Sequence, residues 1–89
     1  MLVNSVYLCD NVVLEGGRKY VIRAFCAGLV HGGEYLFDPY DENLAKRCVV
    51  CPSSVSTSSY SFVSCCIYNS SASSVTLYKG MCLGKVEPI

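Results

Sequence analysis

Hydrophobic and polar residues alternate along much of this chain with a period of two, which is typical of β-strands. In the segment 18–26 one face is mostly apolar and the other carries two cations; the first holds Tyr20, Ile22, Ala24 and Cys26, and the second holds Lys19, Val21, Arg23 and Phe25. Successive side chains of a strand point to opposite sides of a sheet. The pattern therefore predicts a strand with one buried face and one wetter face.

The segment 62–68 repeats this alternation closer to the end of the chain. Its pattern predicts that Val63, Cys65 and Ile67 face the core, together with Val75 and Leu77 of a later strand. Because the side-chain period of a strand is two, a slip of one residue in register would turn all of these side chains toward solvent.

Turn-forming residues divide the chain into seven or eight short strands, about 8–12 residues apart, which favours a small β-sandwich or barrel. Helix-type periodicity is absent, and only the polar segment 38–46 allows a helical turn. The segment 53–59 is rich in Ser and Thr and is predicted to be a loop.

The last third of the chain, residues 62–89, is predicted to form a strand, a hairpin loop, a strand, a glycine turn and a final strand. The predicted turn-forming residues are Asn69, Gly80 and Gly84. Glycine adopts positive φ without steric cost, and an asparagine side chain caps a turn by hydrogen-bonding to the backbone two residues on.

Composition and charge restrict the classes of function. The chain has 89 residues, of which 52% are apolar and 16% charged, and seven Lys/Arg balance seven Asp/Glu. This length predicts a single β-domain, residues 1–89, and the apolar content excludes a disordered chain. Because there is no basic run, nucleic acid is not expected as a ligand.

The sequence contains no membrane-spanning segment and no signal peptide, so we expect an intracellular protein, in the cytoplasm, that does not contact a membrane. The abrupt end after the strand-like segment 86–89 predicts a domain excised from a longer polyprotein or host protein. The high apolar content indicates that part of the surface faces a partner.

Seven cysteines are many for this length, and their number is odd with irregular spacing. Without a secretion signal they are predicted to be reduced thiols that serve as small apolar core residues. The Cys48–Cys51 spacing would suit half of a zinc site, but residues three apart on a strand point to opposite faces, so no metal is expected. The adjacent Cys65 and Cys66 should likewise face opposite sides.

Catalytic groups are not recognisable. The only histidine, His31, lies beside two glycines in a predicted turn, with no third group to form a nucleophilic triad with a cysteine. The carboxylates of Glu34, Asp38, Asp41 and Glu42 are predicted to lie on a solvated surface. We therefore expect a protein that is not an enzyme and that needs no cofactor.

The C-terminal block resembles the end of a small β-domain found between the aspartic protease and the reverse transcriptase of gypsy-type LTR retroelement Pol polyproteins. The resemblance rests on Asn69, Ser71, Val75–Gly80, Leu83–Gly84 and Val86–Ile89, and more weakly on the segments 12–22 and 34–39. It implies a non-catalytic structural or protein-interaction module whose partners are neighbouring polyprotein domains or other copies of itself. The expected fold is dUTPase-like or immunoglobulin-like.

The same block is similar, more distantly, to the last strands of trimeric dUTPases. The phosphate-binding Pro-Arg-Ser motif of that family is replaced here by Pro52-Ser53-Ser54, which lacks the arginine that would hold phosphate. The alternative function is therefore a catalytically dead dUTPase-like module that binds a small ligand.

Association is predicted to use the final strand, because this block resembles the last strands of trimeric dUTPases, whose C-terminal segments contact neighbouring subunits. The possible interface residues are Cys82, Leu83, Val86 and Ile89. The competing interpretation is a monomer in which the terminal strand completes its own sheet.

Overall fold

The computed structural model describes residues 4–89, apart from the side chain of residue 43, and shows an all-β fold with one short helix. The strands are β1 Asn4–Leu8, β2 Val12–Leu14, β3 Lys19–Phe25, β4 Glu34–Pro39, β5 Val49–Val50, β6 Ser54–Thr57, β7 Phe62–Asn69, β8 Val75–Leu77 and β9 Cys82–Pro88, and the helix is α1 Asp41–Ala45. The helix lies in the polar segment in which a helical turn was predicted.

Seven of these strands form one curled antiparallel sheet in the order β5-β7-β3-β1-β9-β4-β6, and β2 pairs with β8 in a small second sheet. The long sheet curls until β6 turns back toward β7, where Ser59 and Phe62 form an isolated bridge. The backbone N–H of Ser64 donates to Ser56 Oγ at 3.2 Å across the same junction. The domain is therefore a compact β-structure of the kind that the alternation predicts.

The prediction of a hairpin between β7 and β8 is wrong. β7 pairs with β3 over seven residue pairs, from Lys19–Tyr68 to Phe25–Phe62, and with β5 at its C-terminal end. β8 instead crosses to β2, with Val12 opposite Leu77 and Leu14 opposite Val75. The predicted loop at 53–59 is also wrong in its centre, because Ser54–Thr57 forms β6 on the edge of β4.

The predicted core faces are confirmed. Val63, Cys65 and Ile67 are buried, and Leu77 joins them while Val75 packs half-buried against the cluster. On β3 the side chains of Ile22 and Ala24 are buried and Tyr20 is half-buried, and Cys26, directly after the strand, is also buried. Two opposed apolar faces thus enclose one hydrophobic core, which supplies the main favourable term in folding.

The position of the final strand differs from that expected of an association surface. β9 lies inside the sheet, paired with β1 on one edge and β4 on the other. Leu83 and Val86 are fully buried in the core, Cys82 is half-buried, and only Ile89 is largely exposed. Being last in sequence does not place a strand at an edge. Leu83 and Val86 already have intramolecular partners, and docking through β9 would require the sheet to open.

The three predicted turn residues have different roles. Gly80 has φ of 86° in the turn before β9, as predicted. Gly84 is not in a turn: it lies within β9, where a Cβ would stand 2.8 Å from Pro39 Cα and would collide with the carbonyl oxygen of Asp38. Glycine is needed there because two strands approach closely.

Asn69 closes the turn after β7 as predicted, and it does more. Its fully buried side chain accepts hydrogen bonds from the N–H and the Oγ–H of Ser71 and donates to the carbonyl oxygens of Ser73 and Leu14. The bond to Leu14 fastens the second sheet to the end of β7.

Candidate interaction surface

An apolar groove lies on the outer face of the sheet where β3, β7 and β5 run side by side. The alternation that buries Ile22 and Ile67 turns Val21 and Cys66 outward, and these two stand directly opposite each other in the β3–β7 register. Val50 of β5 is opposite Tyr68 on the other side of β7. Val21 is 72% exposed and Val50 is 53% exposed. Three strands therefore supply one continuous outward-facing surface.

The groove has a volume of about 540 Å³ and mostly apolar walls. The outward-facing residues that line it are Lys19, Val21, Val50, Pro52, Cys66 and Tyr68. Lys19 is the only charged residue in the lining. Such a surface gains free energy, about 25 cal/mol per Å² of apolar area, when a partner covers it. Its chemistry favours binding an apolar surface and provides no acid–base pair.

The cysteines separate into buried and exposed groups. All seven thiols are free; Cys26, Cys51 and Cys65 are buried, whereas Cys48 and Cys66 are exposed. The predicted opposition of Cys65 to Cys66 is confirmed by these burials. The strand predicted to carry both Cys48 and Cys51 is wrong, because β5 is only Val49–Val50 and Cys48 has φ of 57° in the turn before it; Cys48 is nevertheless exposed and Cys51 buried. Cys48 and Cys51 therefore do not turn their side chains toward one common surface.

Burial raises the pKa of Cys65 to about 12, with smaller contributions from Cys51 and Cys66. Burial also raises the pKa of Cys51 to about 11, with smaller contributions from Cys66 and Asp41, and raises that of Cys26. A nucleophilic or metal-binding cysteine acts as a thiolate. These three buried thiols therefore stay protonated at neutral pH and serve as core residues.

The raised pKa values predict a loss of stability in alkali. Below pH 9.0, the ordinary thiol value, Cys65 is protonated in both states and its ionisation changes nothing. Above it the unfolded chain ionises while the folded chain holds its proton until about pH 12, so the free energy of unfolding falls across that window. Urea unfolding between about pH 8 and 11 measures this fall. For each pH unit, the free energy of unfolding should fall less in Cys65→Ala than in the parent chain, by up to about 1.4 kcal/mol.

The exposed Cys48→Ala variant is the control for this measurement, and it should keep the parent's alkaline decline. If Cys65→Ala declines as steeply as the parent, Cys65 does not hold its proton in the folded state.

The polar candidates serve structural contacts. His31 Nδ1 accepts the backbone N–H of Tyr60 at 2.9 Å, and the two rings stack with centroids 4.5 Å apart. Asp38 Oδ1 accepts the hydroxyl of Ser53 at 3.0 Å. Across the described part of the chain, no three His, Cys, Asp or Glu side chains are grouped as they would be to hold a metal ion.

Sequence reasoning missed the groove residues as a site. Val21 and Cys66 were correctly assigned to particular strand faces, but nothing local in the sequence shows that Val50 and Pro52 stand beside them. The usable signal was an apolar residue, Val21, between the two cations Lys19 and Arg23 of the outward face.

Within residues 4–89, no helix has the length and apolar character needed to cross a membrane. No protein-family model, no curated protein and no solved structure matches this chain.

Proposed function

We propose that this chain is a non-catalytic protein-interaction module of a retroelement-derived polyprotein, and that its outer groove docks a neighbouring domain of that polyprotein. The observation that carries the proposal is the contiguous apolar surface of Val21, Val50 and Cys66, exposed on a rigid sheet. The retroelement origin is supported by the resemblance of residues 69–89. Seven free thiols fit an intracellular, cytoplasmic protein.

The groove suits a domain surface better than a catalytic role. Its walls are side chains held by strand pairing on both sides of β7, so little ordering is required when a partner binds. An exposed apolar patch rimmed by polar residues is a common mark of a protein interface. Here Lys19 and the hydroxyl of Tyr68 are the polar groups of the lining.

Thiol footprinting tests this docking, because Cys66 lies in the groove and Cys48 is an exposed thiol that does not line it. In the isolated chain both should react with iodoacetamide. In the polypeptide extended to its flanking domains, alkylation of Cys66 should slow at least about tenfold while Cys48 keeps its rate, since thiol reactivity requires access. Mass spectrometry after a timed pulse measures both in one sample.

A Val21→Lys variant sharpens the footprinting test. Val21 is exposed, so the chain stays folded, but a lysine ammonium placed in the groove opposes an apolar partner. In the extended polypeptide this variant should restore the alkylation of Cys66. Equal reactivity of Cys66 in the isolated and extended proteins contradicts the proposal. Protection that appears in the isolated chain as its concentration rises identifies a second copy as the partner.

The alternative function is a dUTPase-like module that binds a small ligand without catalysis. The groove volume of about 540 Å³ lies within the range of small-molecule sites, which favours this alternative. If it holds, dUTP at millimolar concentration should raise the melting temperature of the isolated chain, and Val21→Lys should abolish that increase. A transcript that encodes an Asp-Thr/Ser-Gly protease next to this domain favours the polyprotein module instead.

A further inference from the structure

A second surface lies at the opposite end of the β3–β7 pair from the apolar groove, and it is aromatic. Phe25 is paired with Tyr7 of β1 on one side and with Phe62 of β7 on the other. The rings of Phe25 and Phe62 meet edge to face with centroids 5.8 Å apart. Tyr7 is 43% exposed and Phe25 is 40% exposed. The outer face of the sheet thus carries two exposed aromatic side chains, Tyr7 and Phe25, beside the half-buried Phe62.

Two cations border these rings although they are far apart in sequence. The Arg23 guanidinium carbon lies 4.5 Å from the centroid of the Phe62 ring. Lys79 comes from the turn before β9, which is fastened to the end of β1: the backbone N–H of Gly80 donates to Leu8 O, and that of Lys79 donates to Asn11 Oδ1. Arg23, Lys79 and the three aromatic residues line one groove of about 400 Å³.

The lining of this groove carries two cations and one carboxylate, although the whole chain is neutral. In the described residues Arg23 and Lys79 form no ion pair with a carboxylate, whereas Arg18 pairs with Glu15 and Lys85 with Glu87. Five of the seven acidic residues lie on β4, α1 and β9, namely Glu34, Asp38, Asp41, Glu42 and Glu87. One carboxylate, Asp10, lines the aromatic groove and opposes an anion there.

We propose that this aromatic groove binds single-stranded nucleic acid. One or two bases would stack on Tyr7 and Phe25, and the adjoining phosphates would be held by Arg23 and Lys79. A guanidinium whose face rests on an aromatic ring keeps its N–H edge free for a phosphate. Exposed aromatic side chains on a sheet, bordered by cations, are how single strands are recognised, because every unpaired base offers a stacking face.

This site was not predictable from the sequence, because its cations form no run. Arg23 and Lys79 meet only when the turn at Gly80 is fastened to the end of β1. A double helix keeps its bases stacked inside and unavailable to these rings, so the site should prefer single strands to duplexes.

Fluorescence anisotropy with labelled oligo-U and oligo-dT of about 12 nucleotides tests the site, with a hairpin duplex and the mononucleotide as competitors. We expect a dissociation constant of about 1–100 μM at physiological salt, in the range of sequence-independent binding. Two phosphate contacts predict a slope near −1.4 in log affinity against log salt, hence about sevenfold weaker binding at 200 mM than at 50 mM. The melting temperature of the protein without oligonucleotide should be the same at both salt concentrations, which shows that salt does not unfold it.

Variants that replace one cation with a neutral residue test whether Arg23 and Lys79 contact the phosphates. Arg23→Gln and Lys79→Gln should each weaken binding and together flatten the salt slope, whereas Lys46→Gln, an exposed cation in the turn after α1, should change neither. Asp10→Asn should tighten binding, because it removes the one carboxylate of the groove. If Lys46→Gln weakens binding of the oligonucleotide as much as Arg23→Gln or Lys79→Gln does, the attraction depends on overall charge alone and the proposal is overturned.

Variants that remove an aromatic ring test whether bases stack on Tyr7 and Phe25. Phe25→Leu and Tyr7→Leu keep apolar surface but remove the ring, and each should weaken binding at least about fivefold. Tyr40→Leu, an exposed tyrosine beside the acidic helix, is the control and should leave binding unchanged. Absence of binding by the folded chain, equally tight binding of duplex, or equally tight binding of the mononucleotide each overturns the assignment to single strands.

Discussion

Replacing Asn69 with alanine should lower the free energy of unfolding by about 3–5 kcal/mol, because several buried polar groups lose their partner and each unpaired group costs about 1–3 kcal/mol. The side chain of Asn69 is 0% exposed. Its Nδ2 donates to Leu14 O at 2.8 Å and to Ser73 O at 2.9 Å, and its Oδ1 accepts from the N–H of Ser71 at 2.9 Å. Urea unfolding measures the loss.

Two further variants test whether the loss comes from the buried hydrogen bonds of Asn69 rather than from any change in this turn. Asn69→Asp keeps the acceptor but removes both donated bonds and buries a charge, so it should destabilise at least as strongly as alanine. Ser70→Ala, at the exposed next position, should cost about 1 kcal/mol or less. In Asn69→Ala, hydrogen exchange should accelerate first at β2 and β8. A loss below about 1 kcal/mol would mean that water replaces the side chain.

Local features of the structure were predictable from the sequence because they depend on neighbouring residues alone. The faces of β3 and β7 follow from a period of two, the turn at Gly80 follows from glycine's access to positive φ, and α1 lies in the one polar segment without strand alternation. These rules need no knowledge of which strand pairs with which.

Strand pairing was not predictable in the same way. β8 follows β7 after a short polar loop, which suggests a hairpin, yet Asn69 ties the end of β7 to Leu14 and β8 pairs with β2. The segment around β6 is rich in Ser and Thr, which favoured a loop. It forms a strand because the edge of β4 pairs with Ser54–Thr57. Pairing is a property of two distant segments.

The candidate sites share this dependence on pairing. The apolar groove needs Val50 beside Tyr68, and the aromatic groove needs Lys79 beside Arg23. The alternation placed Val21, Arg23 and Phe25 on one strand face, but binding surfaces are made of residues from several strands. The neutral net charge gives no sign that Arg23 and Lys79 line one groove with a single carboxylate, Asp10.

Replacing Gly84 with valine should destabilise the domain by about 3 kcal/mol or more, since overpacking of a well-packed core typically costs about 1–3 kcal/mol and the atoms in the way here are backbone. A Cβ at this position meets the carbonyl of Asp38 and stands 2.8 Å from Pro39 Cα. Neither obstacle is a side chain that could rotate away, so β4 and β9 would have to separate where they pair. Thermal and urea unfolding measure the loss.

Gly80→Ala and Lys85→Val distinguish close packing from a turn requirement at Gly84. Gly80 has φ of 86° and open space around its Cα, so alanine there should cost only the left-handed strain, about 1–2 kcal/mol. Lys85→Val adds a β-branched residue at the next, half-buried position of β9 and should cost less than about 1 kcal/mol, because its ion pair with Glu87 is partly exposed. Gly84→Ala should lower the free energy of unfolding by more than either of these two variants. Equal losses for Gly84→Ala and Gly80→Ala would instead indicate that Gly84 is required for its backbone conformation, as the sequence had suggested.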